Sequence, residues 1–260
     1  GGYFLSMGPY AFYWFVLKPT AVVDQQPEEI LTLRLSDRAA IFHPNKQEQL
    51  AVVLTEYLSR RQLLGARPES VRAAQISECM AMPDGNTQLV CLRVEFKQGD
   101  PATYLLFVST VVEEAATTML NELPPTAIAQ LLLASPDAEA AETGVLYDAL
   151  VNKTFLQTLL EMTIHSRSCE GRAGKLITAA LMNSLGSDPQ LANSPKLDSL
   201  HLKGDYHNTS IVYADSDSEG DGELILKLFR RVEEGDNPDL EIRHFMSQLL
   251  LFTICNEVVG

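Results

Sequence analysis

The sequence predicts an α+β fold, an antiparallel sheet with helices packed against it, and three observations lead there. Its 260 residues exceed the usual single-domain size, so one large or two modest domains are expected. Over 89–96, Val90, Leu92, Val94 and Phe96 alternate with Arg93 and Glu95; Lys97-Gln98-Gly99-Asp100 then turns the chain into a second strand over 104–112. From Pro125 onward the apolar spacing changes to that of helices.

Near the N-terminus, residues 3–17 are rich in apolar and aromatic side chains. Phe12, Trp14 and Val16 alternate with Tyr13, Phe15 and Leu17, which suits a strand covered on both faces. No basic run precedes this stretch, Gly8-Pro9 interrupts it and no small-residue cleavage site follows, so it does not read as a signal peptide. It is also too short to span a bilayer. KPTAVVDQQPEE (18–29) has the prolines and polarity of a linker. A helix is predicted over 47–64, with Leu50, Val53, Leu54, Tyr57 and Leu58 on one stripe, Arg60-Arg61 near its end and Gly65 as its C-cap. Strand pairing is expected between 70 and 82, ahead of the hairpin. Helices are predicted over 126–133 and 146–164, the second with Leu146, Ala149, Leu150, Leu156, Leu159 and Leu160 as its apolar stripe. Beyond the turn-rich 188–195, strands are predicted over 208–213 and 224–229, joined by an acidic connection. A last helix over 238–253 is opened by Asn237 as N-cap and Pro238 at its first position.

A formal net charge of −14 and a pI of about 4.7 make nucleic acids and anionic membrane surfaces poor partners, because the field repels phosphate. Cys79, Cys91, Cys169 and Cys255 lack CxxC spacing and nearby histidine pairs. Reduced thiols and a cytoplasmic location are therefore expected, with neither zinc nor a disulfide framework.

The sharpest local signal is the strand over 224–229. Leu224, Leu226 and Leu228 alternate with Ile225, Lys227 and Phe229. A lysine between large apolar neighbours is expensive to bury unless a counter-charge meets it. Two readings fit. One is an edge strand whose lysine extends to water. The other is a lysine that meets nucleotide phosphates and is held by a glutamate on the following helix, where Glu241 stands in the first turns.

GVLYDALVNKTFLQTLL (144–160), GDYHNTSIVY (204–213) and ILKLFRRVEEGDNPDLEIRHF (225–245) closely resemble maltokinases, whose matching stretches hold an Asn-Thr-Ser strand start, an ILKLFRR-like strand and an NPDLE turn. The run of Lys227, Arg230, Arg231, Gly235, Asn237, Pro238, Asp239 and Glu241 carries most of the specificity. Upstream, YFLSMGPYAFYWF (3–15) is similar to the last strands of the amylase-type β-domain that closes trehalose synthases. The order of the two signatures is that of a trehalose synthase–maltokinase fusion. The resemblance implies terminal β-domain strands over 1–19, a linker over 20–29, a maltokinase N-terminal cap over 30–195 and the start of a kinase-like N-lobe over 196–260. It also implies bacterial α-glucan metabolism. ATP would phosphorylate maltose to maltose 1-phosphate, and the upstream half would interconvert maltose and trehalose.

By the same resemblance, Lys227 contacts the ATP phosphates and Glu241 is its salt-bridge partner. Asn208, Thr209 and Ser210 form the phosphate-facing start of the first lobe strands. Asp205-Tyr206-His207 departs from the usual Glu-Gln-Ser, and Gln62-Leu63-Leu64-Gly65 stands where a Trp-Phe pair is usual. The catalytic aspartate and the Mg2+ ligands are expected beyond residue 260, so this segment alone is expected to be inactive. The implied partners are maltose, Mg-ATP and intramolecular contacts with the trehalose synthase and the kinase C-lobe.

Weaker signals yield less. Over 215–223 the acidic spacing hints at a calcium loop, but Leu226 occupies the place of the bidentate glutamate, which leaves a solvated hairpin tip as the stronger reading. Gly171-Arg172-Ala173-Gly174-Lys175 is not a P-loop, because Cys169 takes the first glycine position and Leu176 follows the lysine. A rival of another class is a non-catalytic module coupling two enzyme domains. A carbohydrate-binding β-domain ranks last, with one tryptophan in a strand expected to be covered.

Overall fold

The computed structural model describes residues 30–64, 70–134, 141–165, 167–172, 174–177, 179–180, 198–202, 208–214, 224–232 and 249–251. In chain order the elements are β1 (Thr32–Leu35), α1 (Gln47–Arg60), β2 (Val71–Ala81), β3 (Thr87–Phe96), β4 (Ala102–Val112), α2 (Glu113–Glu122), β5 (Ala127–Leu133), β6 (Glu142–Asp148) and α3 (Lys153–Ile164). After α3 come β7 (Ser168–Glu170), β8 (Lys175–Ile177), β9 (Ala179–Ala180), β10 (Asp198–Leu202), β11 (Asn208–Ala214), β12 (Leu224–Phe229), β13 (Arg231–Val232) and β14 (Leu249–Leu251). The expected strand over 12–17 and the acidic connection over 215–223 lie outside the described residues.

The architecture is α+β, with a seven-stranded and a five-stranded sheet. In the larger sheet the order is β1-β5-β6-β4-β3-β2, and β13 also pairs with β4. The expected hairpin is β3–β4, and the strand expected between 70 and 82 is β2, antiparallel to β3. Both turns of this meander use glycine with positive φ, Gly85 at +75° and Gly99 at +98°, a region where a side chain would be strained. In the first turn Asp84 Oδ1 also accepts the Thr87 N–H at 3.1 Å.

Strand β4 is covered on both faces, which is why ATYLLFVSTVV (102–112) reads as a nearly continuous apolar run. Tyr104, Leu106 and Val108 of β4 join one buried cluster with Leu50, Leu54 and Leu58 of α1. Leu105 and Phe107 join another with Phe155, Leu156, Leu159 and Leu160 of α3, and with Ile211, Tyr213, Leu226 and Leu228 of the smaller sheet. Phe107 and Phe155 meet as a tilted pair with ring centroids 5.0 Å apart. Tyr213 buries its ring in that cluster and donates its hydroxyl to the Leu156 carbonyl at 2.9 Å.

Helix α1 follows the expected stripe but stops earlier. Its C-cap is Arg61, and the next residue, Gln62, is left-handed at φ 56°, with Gln62 N–H on the Ser59 carbonyl and Leu63 N–H on the Leu58 carbonyl at 2.9 and 2.8 Å. Those two bonds are a Schellman closure made without glycine, and Gly65 lies outside the described residues. Helix α3 is capped by Asn152, whose Oδ1 accepts from the Thr154 and Phe155 N–H groups.

Three expected helices are corrected. Of residues 126–133, Thr126 ends a short 3-10 turn and 127–133 form β5, because AIAQLLL exposes only Gln130 and buries side chains on both faces between β1 and β6. The helix expected over 146–164 is split, with its first residues ending β6, a short 3-10 turn over Ala149–Val151, and α3 starting only at Lys153. Short apolar runs satisfy either period, and pairing decided for strand here. Of the helix expected over 238–253, residues 238–248 and 252–253 lie outside the described residues, and Leu249–Leu251 is β14, which adds to β12 in parallel.

Replacing Phe155 by alanine removes a ring at the centre of the α3–sheet interface. The expected loss is about 3–5 kcal/mol in urea unfolding, whereas Val52→Ala on the outer face of α1, 60% exposed, changes stability by less than about 0.5 kcal/mol.

Candidate functional site

Residues expected to meet a nucleotide fall in the smaller sheet, ordered β10-β11-β12-β14-β9. Lys227 lies on the central strand, paired with Ser210 on one side and, in parallel, with Leu251 on the other. The edge-strand reading of Lys227 therefore does not hold. Asn208 and Thr209 pair with Phe229 and Leu228, so 208–210 and 227–229 run side by side. Thr209 is buried, while Ser210, its neighbour on an alternating strand, belongs to the opposite face. Thr209 and Ser210 thus do not meet one ligand together. Glu241 lies outside the described residues.

Next to these positions is a buried polar cluster built from distant parts of the chain. Strand β6 pairs with β4 only as far as Val108↔Asp148. Further along the same edge, Leu105 N–H donates to the Arg230 carbonyl at 2.7 Å, and Arg231 and Val232 pair with Tyr104 and Thr103. Strands β6 and β13 therefore lie end to end against β4, and their side chains meet across the join. Arg230 Nη2 is 2.5 Å from Asp148 Oδ2, and the same oxygen accepts the Tyr57 hydroxyl of α1 at 2.8 Å. Asp148 Oδ1 accepts the Leu150 N–H, and Arg230 Nε reaches the Thr209 hydroxyl at 3.3 Å.

Both side chains of the pair are 5% exposed, so water screens their attraction little. Burial works against the Arg230 charge, but the Asp148 carboxylate beside it outweighs that and holds the guanidinium pKa above its ordinary value. Burial first, and then the Asp148 charge, pushes the Tyr57 phenol far up, which keeps it a neutral donor. Arg230 Nη1 is buried without an acceptor among the described residues. The Asp148 carboxylate is committed to three donors. Its chemistry is attachment, joining α1, β6, β11 and β13.

The sequence reading singled out Arg230 only within the ILKLFRR resemblance and missed Tyr57 and Asp148. A usable signal was present, because Asp148 is the one charge in GVLYDALV (144–151) and the argument applied to Lys227 applies to it equally.

A second buried group lies at the β2–β3 edge. Glu78 is 8% exposed beside Cys79 and Cys91, and a Cβ on Gly171 would come within 2.6 Å of Met80 Cε, so β2 and the β7–β8 turn meet closely there. Burial, then the Glu78 charge, pushes the Cys91 thiol up to about 12 and the Cys79 thiol to about 11. Cys79, Cys91 and Cys169 are free thiols.

No protein family matches this chain, and no curated protein matches it. Among the described residues no helix is long and apolar enough to cross a membrane, and no three metal-ligating side chains come together.

Arg230→Met or Asp148→Ala leaves the other charge buried and unpaired, with an expected loss of about 3–5 kcal/mol in denaturant unfolding. Tyr57→Phe removes one hydrogen bond, and about 1–2 kcal/mol is expected. The raised thiols set an alkaline limit. Unfolded thiols ionise near pH 9 while the folded ones stay protonated to about 11–12, so their contribution is intact below about pH 9 and is lost as pH rises through that window. In the native protein at pH 8, mass spectrometry should find Cys79 and Cys91 alkylated at least about a hundredfold more slowly than in urea.

Proposed function

We propose that this chain is part of a bifunctional trehalose synthase–maltokinase whose kinase half transfers the γ-phosphate of Mg-ATP to maltose, giving maltose 1-phosphate. The observation that carries the reading is the run from Lys227 through Arg230, Arg231 and Asn237-Pro238-Asp239 to Glu241, which resembles the nucleotide-binding strand and following turn of maltokinases. The central position of β12 agrees with it, since a lysine there has paired strands on both sides and a fixed backbone. Ser210, half-buried and directly opposite Lys227 in the register, offers a hydroxyl that would serve the same phosphates. Thr209 is left out of that role and assigned to the buried cluster. Residues 30–195 act in this reading as a cap ahead of the nucleotide-binding strands, and the base and metal ligands are those that the resemblance places after residue 260.

Phosphoryl transfer depends on positioned charge more than on covalent help from the protein, so removing the phosphate-binding lysine should depress kcat strongly. In the full-length protein, ATP-dependent formation of maltose 1-phosphate is expected, with Lys227→Met lowering kcat on the order of 10²–10³-fold and leaving trehalose–maltose interconversion unchanged. Retained phosphorylation in that variant would overturn the role of Lys227. Absence of nucleotide binding by calorimetry in the wild type would favour the non-catalytic coupling module instead.

A further inference from the structure

We infer that the Asp148–Arg230 pair is a register lock for the strand that carries Lys227, making both positioning residues for the phosphate site. The inference rests on the proposed role of Lys227, but its geometry stands apart from that role.

Strand β13 is only two residues long, and its backbone bonds to β4 would form equally well after a slip along the edge. The side chains discriminate between these alternatives. In the observed register Arg230 meets Asp148 at 2.5 Å and Thr209 at 3.3 Å, while Arg231, the next residue, is exposed. A shift by one residue reverses the faces, turning Arg230 out and Arg231 in. A shift by two places Leu228 or Val232 beside Asp148 and leaves its carboxylate buried without a cation. Either slip draws β12 with it, since Phe229 and Arg231 flank Arg230 without a loop between them. Lys227 would then lose its fixed height against the larger sheet.

Thr209 ties the lock to the second strand of the pair. Its hydroxyl holds Arg230 Nε, and it adjoins Ser210, the residue opposite Lys227. One guanidinium thus fixes β11 and β12 together against β6 and, through the shared carboxylate and Tyr57, against α1. Among the described residues Nη1 has no acceptor, which is not what optimisation for stability alone would give. Buried ion pairs are often matched in stability by apolar residues of similar volume, and their best-attested benefit is register.

The test uses the full-length protein with two replacements, Asp148→Asn, which keeps shape and removes charge, and the double change Asp148→Leu with Arg230→Met, which removes both charges. Hydrogen exchange is followed for backbone amides of 208–214 and 225–232 against those of β3 and α3, together with steady-state kinetics per folded molecule. The expected result for Asp148→Asn is exchange at least about tenfold faster in the two segments than in β3 and α3, with kcat falling about tenfold or more and the KM for maltose unchanged. A folded double variant should show the same selective exchange and kcat loss even where its midpoint in urea equals that of the wild type. If the double variant fails to fold, Asp148→Asn decides. Uniform acceleration over the whole chain, or wild-type kcat per folded molecule, would reduce the pair to a structural contact and overturn the inference. Failure of the maltokinase reading is distinguishable, because the wild type would then lack phosphoryl transfer whatever the exchange pattern.

Discussion

A carboxylate and a guanidinium held 2.5 Å apart in the interior tie together elements from distant parts of the chain. Asp148 ends β6, Arg230 begins the run into β13, Tyr57 comes from the last turn of α1 and Thr209 from β11. Taking either charge out of water is costly, and their mutual attraction offsets this only in good geometry. The arrangement therefore tolerates little variation in how the smaller sheet meets the larger one. The apolar cluster around Phe107, Phe155, Tyr213 and Leu226 supplies adhesion between the same parts, but hydrophobic burial is non-directional. Adhesion comes from the apolar cluster, and orientation comes from the ion pair.

Much of the fold was legible where a local pattern sufficed. The β3–β4 hairpin, the apolar stripe of α1 and the strands β11 and β12 follow from alternation and turn residues within a dozen positions. Strand β5 was not legible, since AIAQLLL carries no periodic polar face and becomes a strand through β1 and β6. The same holds for β6, whose Gly144 lets β4 approach so closely that a Cβ there would lie 2.9 Å from the Val111 carbonyl oxygen. Strand β14 hid in three leucines that suit a helix as well.

The candidate site divides in the same way. Lys227 and Asn208-Thr209-Ser210 stand out in the sequence because each sits in a recognisable local string, and the strands bring 208–210 beside 227–229. Strand alternation then separates Thr209 from Ser210, which a string of three polar residues cannot reveal. Asp148, Tyr57 and Arg230 were unreadable as a group because 91 and 82 residues separate the partners. Only the isolated charge of Asp148 within an apolar run hinted that a partner had to exist.

The end-to-end meeting of β6 and β13 along β4 also orders events during synthesis. Six of the seven strands of the larger sheet, β1 to β6, can assemble from residues 30–148 before Arg230 has left the ribosome. During that interval the edge of β4 at Thr103, Tyr104 and Leu105 is an open strand edge in an apolar setting, a template for pairing with another chain. Arrival of β13 closes it. The last strand added to the sheet is thus also its guard against aggregation, and a nascent chain stalled before residue 230 would carry that exposed edge.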